Sequence, residues 1–220
     1  MKMGKTDKRL LIFFLGCTLF ANAQIGAVIG GAEIEIGPNE VKGLEPLSTK
    51  KLAFSITRNA ASDSEKVFEI YKWIAEIISY DHELMRNEQL QKQIYTSEEN
   101  VVRAVLNRKK ALCGGFSFLF KKLCADVGIS AEAVHGYTKK YSGRITNRKT
   151  PDHTWNVVKL NGKWNLLDIT WAIGHGTDGK ADNFWYLVNP SEFILSHYPQ
   201  DQKWALLKNP ISREKFLDLP

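Results

Sequence analysis

The 220-residue chain is 44% hydrophobic, which supports one domain with a substantial core and is marginal for two. Its formal charge is +6, but Lys2, Lys5, Lys8 and Arg9 against Asp7 place three of those charges in residues 1–23. The three that remain are ordinary for a folded domain and argue against a nucleic-acid partner.

The N-terminus reads as an export signal. A basic stretch ending at Arg9 precedes an apolar run over 10–20, and Ala21-Asn22-Ala23 precedes Gln24. That order predicts a signal peptide over 1–23, cleaved after Ala23, and a secreted or periplasmic product. The apolar stretch to Ala23 falls short of the roughly 20 residues that span a bilayer, so stable membrane insertion is not expected. An uncleaved anchor is one alternative. Lipidation at Cys17, in the lipoprotein-like Phe14-Leu15-Gly16-Cys17, is another.

Residues 24–50 are rich in glycine and proline (Gly26, Gly30, Gly31, Gly37, Pro38, Gly43, Pro46) and read as a linker or lead-in. The domain is expected over 51–220. Ser62 and Glu65 form a capping box, and Val67, Ile70, Trp73, Ile74, Ile77 and Ile78 follow at helical spacing up to Tyr80 and Asp81. A second box, Thr96 with Glu99, opens a helix through Val101, Val102, Val105 and Leu106, closed by Arg108, Lys109 and Lys110. The third helix starts at Cys113-Gly114-Gly115 and carries Phe116, Leu119, Phe120, Leu123 and Val127 on one face, with Gly128 as its C-cap.

Strands come next. Residues 131–138, 153–160 and 163–171 have strand character, and Asn161-Gly162 between the last two is a hairpin signal. A further strand is expected over 184–188. The polar loop with Lys139, Lys140, Arg144, Arg148 and Lys149 reads as solvated, and the proline-punctuated tail as short helical pieces. Helices first and antiparallel strands afterwards indicate an α+β domain, with N-terminal helices packed on an antiparallel sheet.

After signal cleavage only Cys113 and Cys124 remain. They lie on one predicted helix, about 16 Å apart along its axis, whereas a disulfide needs Cα atoms within about 7 Å. Two free thiols are therefore expected. Cys124 sits mid-helix beside Phe120 and Leu123 and reads as core. Cys113 sits at the helix N-terminus, where the dipole favours a thiolate and open N–H groups could serve an oxyanion.

The hairpin supplies partners. A two-residue turn at Asn161-Gly162 pairs Leu160 with Lys163 and sets Asp168 opposite Trp155. His153 then shares a face with Asp168, as a diagonal neighbour at roughly 7–8 Å between Cα atoms. Trp155, Val157, Trp164 and Leu166 make that face mostly apolar, so histidine and carboxylate need each other. The pair could staple the hairpin, or it could orient an imidazole toward a nucleophile.

Three segments now carry a resemblance. Leu112-Cys113-Gly114-Gly115-Phe116-Ser117, His153-Thr154-Trp155-Asn156-Val157-Val158 and Trp164-Asn165-Leu166-Leu167-Asp168-Ile169-Thr170-Trp171 resemble the core motifs of the transglutaminase-like superfamily. The tail from Phe193 through His197-Tyr198-Pro199 to Trp204 is similar to the region after the core in kyphoscoliosis-peptidase-like members. The resemblance covers roughly 50–220. It implies a papain-like fold with Cys113 as nucleophile, His153 as base and Asp168 as its orienter. The oxyanion side chain varies in this superfamily, and Tyr80 and Tyr95 are the candidates here.

The expected activity is thiol-based acyl transfer on a protein or peptide substrate. Hydrolysis is favoured over cross-linking, because water needs no dedicated acceptor site. The alternative is a non-catalytic protein-binding domain that keeps the fold. His82, His135, His175 and His197 lack paired metal-ligand spacing, so neither a metal site nor a cofactor is expected. Asp178-Gly179-Lys180 reads as a turn.

Overall fold

A computed structural model describes residues 48–139 and 150–220. The expected export signal, Cys17, most of the lead-in and the basic loop over 140–149 lie outside the described residues. Among the described residues, no helix is long and apolar enough to cross a membrane.

The chain starts with α1 (Thr49–Thr57), then α2 (Asp63–Ile77). Ser62 caps α2 as expected, accepting from the Glu65 N–H at 3.2 Å, while the Glu65 carboxylate reaches back to the Ala61 N–H at 2.6 Å. The helix stops at Ile77, earlier than Tyr80 and Asp81 suggest, because Ile78 turns extended. Ser79 and Tyr80 then form β1, and Asp81 and Asn87 cap two short helices, α3 (His82–Arg86) and α4 (Glu88–Ile94). The next cap is displaced by one residue. Ser97, not Thr96, accepts from the Asn100 N–H at the start of α5 (Glu98–Arg108). The reason lies in Asn100, whose amide donates to the Ile94 carbonyl at 2.8 Å and ties the end of α4 to the first turn of α5.

β2 (Lys110–Ala111) pairs in parallel with β1 and leads directly into α6 (Cys113–Asp126). The α6 face of Phe116, Leu119, Phe120 and Leu123 is buried at 0–1% exposure, and Gly128 closes the helix at φ 80°. α6 packs against α1, α2 and α5 on one side and the sheet on the other. Gly115 permits this: a Cβ there would meet Val105 Cγ2 at 2.9 Å and Ala111 Cβ at 3.0 Å.

The sheet is antiparallel in the order β5-β4-β3-β6. β3 (Ala131–Thr138) and β4 (His153–Leu160) have the expected bounds. The hairpin register is also as expected, with Leu160 opposite Lys163 and Asn156 opposite Leu167. β5 ends at Leu167, however, short of the predicted 171. Asp168 breaks the ladder by capping α7 (Ile169–Gly174), its Oδ1 accepting the Trp171 N–H at 2.9 Å.

The strand expected over 184–188 is also absent. A 3₁₀ turn covers Asn183–Trp185, Leu187 takes φ 52°, and only Val188 bridges back to Leu166. In the tail, α8 (Pro190–Phe193), a 3₁₀ turn at Gln202–Ala205 and α9 (Arg213–Asp218) match the expected helical pieces. Between them β6 (His197–Pro199) adds an edge strand beside β3. Pro199 is tolerated there, since an edge need not supply every donor. The architecture is α+β, helices on one antiparallel sheet.

Candidate active site

The N-terminus of α6 is brought to β4 by two reciprocal bonds. The Ser117 hydroxyl donates to the Thr154 carbonyl at 3.1 Å, and the Asn156 amide donates to the Ser117 carbonyl at 3.0 Å. Ser117 lies one helical turn after Cys113, and Thr154 adjoins His153. The two bonds therefore set the Cys113 thiol against the His153 ring, and the two side chains are hydrogen-bonded.

Cys113 is partly exposed and Cys124 is fully buried; both are free thiols. Burial pushes both thiols up, but only Cys113 has compensation. The hydrogen bond and charge of His153, with the Thr154 N–H, bring Cys113 below the ordinary thiol value. Cys124 has only desolvation and is driven far up.

His153 is 8% exposed, and its Nε2 lies 2.5 Å from Asp168 Oδ2. Burial disfavours the imidazolium, yet the Asp168 carboxylate and the Cys113 thiolate outweigh it and raise the ring to about 10. Asp168 has no exposure, and His153 and His197 hold it well below the usual carboxylate range despite desolvation. With Nε2 committed to Asp168, Nδ1 is the nitrogen left for Cys113. The arrangement is a lowered thiol beside a raised imidazole, which a buried carboxylate backs.

The carboxylate does not sit where the hairpin pattern puts it. Asp168 meets His153 from a helix cap beyond the ladder, so one oxygen closes α7 and the other faces the imidazole. His197, which sequence spacing gave no role, lies fully buried on the same oxygen at 3.1 Å. The donor atoms of His153, Asp168 and His197 all fall within 4.8 Å of one another. A separation of 2.5 Å is shorter than the spacing of ligands around a metal with bonds of about 2.0 Å, and suits a shared proton.

Both candidate tyrosines feel the charge of the Cys113 thiol. The Tyr95 ring covers Gly114, where a Cβ would come within 3.1 Å of its Cε1. Burial, then the Cys113 charge, raises the Tyr95 phenol strongly, while the Gly115 N–H bonds to its oxygen. Tyr80 is raised by the same two causes. Gly114 and Gly115 also permit close packing against Tyr95, Val105 and Ala111. The residue after Tyr80 belongs to an ion pair. Asp81 is completely buried, caps α3 through Oδ1, and accepts two N–H groups of Arg108 at 2.7 and 3.0 Å on Oδ2.

The sequence profile of the Transglutaminase-like superfamily core matches residues 50–169. Kyphoscoliosis peptidase of Mus musculus is 33% identical over 175 residues, covering 76% of this chain and 25% of the mouse protein. Lim and transglutaminase domain protein ltd-1 of Caenorhabditis elegans is 26% identical over 195 residues, covering 80% of this chain and 26% of that protein. The chain thus spans about a quarter of the length of these relatives. A solved TGase structure is 25% identical at a TM-score of 0.41, covering 59% of this chain and 32% of that one. By the profile match across its central half, this chain belongs to the transglutaminase-like superfamily.

Proposed function

We propose that this protein is an exported cysteine enzyme that performs acyl transfer on peptide or amide bonds, with Cys113 as nucleophile, His153 as proton carrier and Asp168 as orienter. The observation that carries the reading is the contrast between its two thiols. Cys113 is lowered by a histidine that is itself paired to a buried carboxylate, whereas Cys124 is an inert core thiol. A fold kept only for binding has no need of that contrast.

The Cys113 thiolate attacks a carbonyl carbon and forms a tetrahedral oxyanion. The Cys113 N–H, in the first turn of α6, and the phenol of Tyr80 or Tyr95 are the candidate donors to that charge. Collapse to the thioester releases an amine, which takes its proton from His153. Neutral His153 then accepts a proton from the second nucleophile as it attacks the thioester. Water as that nucleophile gives a peptidase or amidase; a lysine amine gives a cross-link. We favour water, in keeping with the name of the mouse relative.

The test is incubation with a peptide library, with and without an added amine, followed by mass spectrometry. Hydrolysis predicts cleaved or deamidated peptides that vanish in Cys113→Ala. Amine-linked products as the main species would assign cross-linking. No product, with equally slow alkylation of Cys113 and Cys124, would leave the protein-binding reading. Export is part of the proposal, and a mature chain beginning at Gln24 after secretion is its check.

A further inference from the structure

The Asp168 carboxylate serves two histidines. His197, on β6, shares Oδ2 with His153, and the two rings stand 5.6 Å apart between centroids. The other nitrogen of His197, Nδ1, lies 2.7 Å from Ser196 Oγ. A carboxylate only accepts, so the proton of a neutral His197 sits on Nε2, and Nδ1 is left to accept from the Ser196 hydroxyl, whose alternative acceptor is the Phe193 carbonyl at 3.4 Å. Phe193 stacks on the ring at 4.1 Å between centroids, Trp171 meets it edge-on at 4.3 Å and Trp155 at 5.2 Å. The titratable groups that face it are Asp168 at the α7 cap, His153 on β4 and Asp152 just before β4. Burial outweighs the pull of Asp168 and lowers His197 to about 4, so the ring is neutral near pH 7.

A buried carboxylate with one partner is free to rotate about its Cα–Cβ and Cβ–Cγ bonds. This one has three donors from three directions: the Trp171 N–H on Oδ1, and His153 and His197 on Oδ2. Their combined effect fixes both its orientation and its charge.

We infer that His197 is a positioning residue of this site, a neutral Nε2–H donor that holds Asp168 Oδ2 against His153 and takes part of its negative charge. The inference rests on the acyl-transfer reading only for its consequence in turnover; the positioning itself is measurable without a substrate.

The experiment reads two quantities in wild type, His197→Phe and His197→Gln. One is the pH profile of Cys113 alkylation by iodoacetamide, whose alkaline limb reports His153 losing its proton. The other is the downfield proton resonance of the His153–Asp168 bond. Phenylalanine fills the aromatic cage without donating. The carboxylate then turns its whole charge on His153, and the alkaline limb is expected to rise by about half a pH unit or more, with a shifted resonance. Glutamine, whose amide reaches the same oxygen, is expected to restore both. Ser196→Ala keeps the cage but removes the donor to Nδ1, and should move both readouts the same way by a smaller step. Wild-type values in folded His197→Phe overturn the inference; where that variant does not fold, wild-type values in Ser196→Ala overturn it. If wild-type Cys113 is no more reactive than Cys124, the acyl-transfer reading fails, and the proton resonance alone decides the role of His197.

Discussion

The Ser117 hydroxyl donates to the Thr154 carbonyl at 3.1 Å, across the junction of α6 and β4. The bond is buried, and it is the link that sets a thiol on a helix against an imidazole on a strand. Ser117→Ala leaves that carbonyl without its side-chain donor, at a cost of about 1–3 kcal/mol. It also lets the helix end drift from the strand. Alkylation of Cys113 is expected to slow severalfold relative to Cys124, alongside a lower urea midpoint. An unchanged alkylation rate in a destabilised variant would mean that the bond supports the core alone.

Raising the pH should dismantle the Cys113–His153 pair. His153 goes from 6.5 in the unfolded chain to about 10 in the fold. Its contribution to stability is therefore complete below pH 6.5 and is lost as pH rises toward 10, because the folded state holds the proton longer. The lowered Cys113 thiol titrates in the opposite sense, so the comparison is made without it: thermal melts over pH 6.5–10 should show Cys113→Ser falling more steeply than the double variant Cys113→Ser, His153→Gln, which has no imidazole to titrate. Parallel curves would mean that the charge on His153 is not coupled to folding.

How much of this was readable in the sequence depends on whether a residue's role is local. Alternation and the Asn161-Gly162 turn located β3, β4 and their register, since each is set within a dozen residues. The glycine-flanked cysteine at a helix start located Cys113. Asp168 was found by an argument that was half right: the register holds, but the residue leaves the ladder to cap α7. Asp followed three residues later by the amide it caps is a local signal, and it outweighed the strand pattern. His197 was out of reach. Gly136 opposite both His153 and Pro199 brings β6 alongside, and that edge pairing joins residues 59 to 63 positions apart with no periodicity to announce it. Asp81 was read as the end of a helix, whereas it and Asn87 cap α3 and α4, which are too short for periodicity to show.

Acid should act through the second histidine. His197 falls from 6.5 to about 4 on folding, the opposite direction to His153. Between those values the unfolded chain binds the proton and the folded one does not, so stability drops as pH falls from 6.5 to 4. At 1.36 kcal/mol per pH unit the full drop is about 3 kcal/mol. Chemical denaturation across this window should show the slope in wild type and lose it in His197→Gln. Equal slopes in the two proteins would place the acid sensitivity elsewhere.

The Asp81–Arg108 ion pair, one residue after Tyr80, should be asymmetric when cut. Asp81 has no exposure, whereas the Arg108 side chain is 28% exposed. Arg108→Ala strands a buried carboxylate whose remaining partner is the Leu84 N–H, a loss of about 3–5 kcal/mol. Asp81→Asn removes the charge but keeps an oxygen to cap α3, and it leaves a guanidinium that water and Glu83 can satisfy. The loss there should be closer to 1 kcal/mol. Because β1 carries Tyr80 directly before Asp81 and β2 leads directly into Cys113, Arg108→Ala should also slow Cys113 alkylation more than Asp81→Asn does. Urea unfolding and alkylation of both variants check this together. Equal losses from the two substitutions would show that Asp81 reaches water when Arg108 is gone, and that the pair does not hold Tyr80 in place.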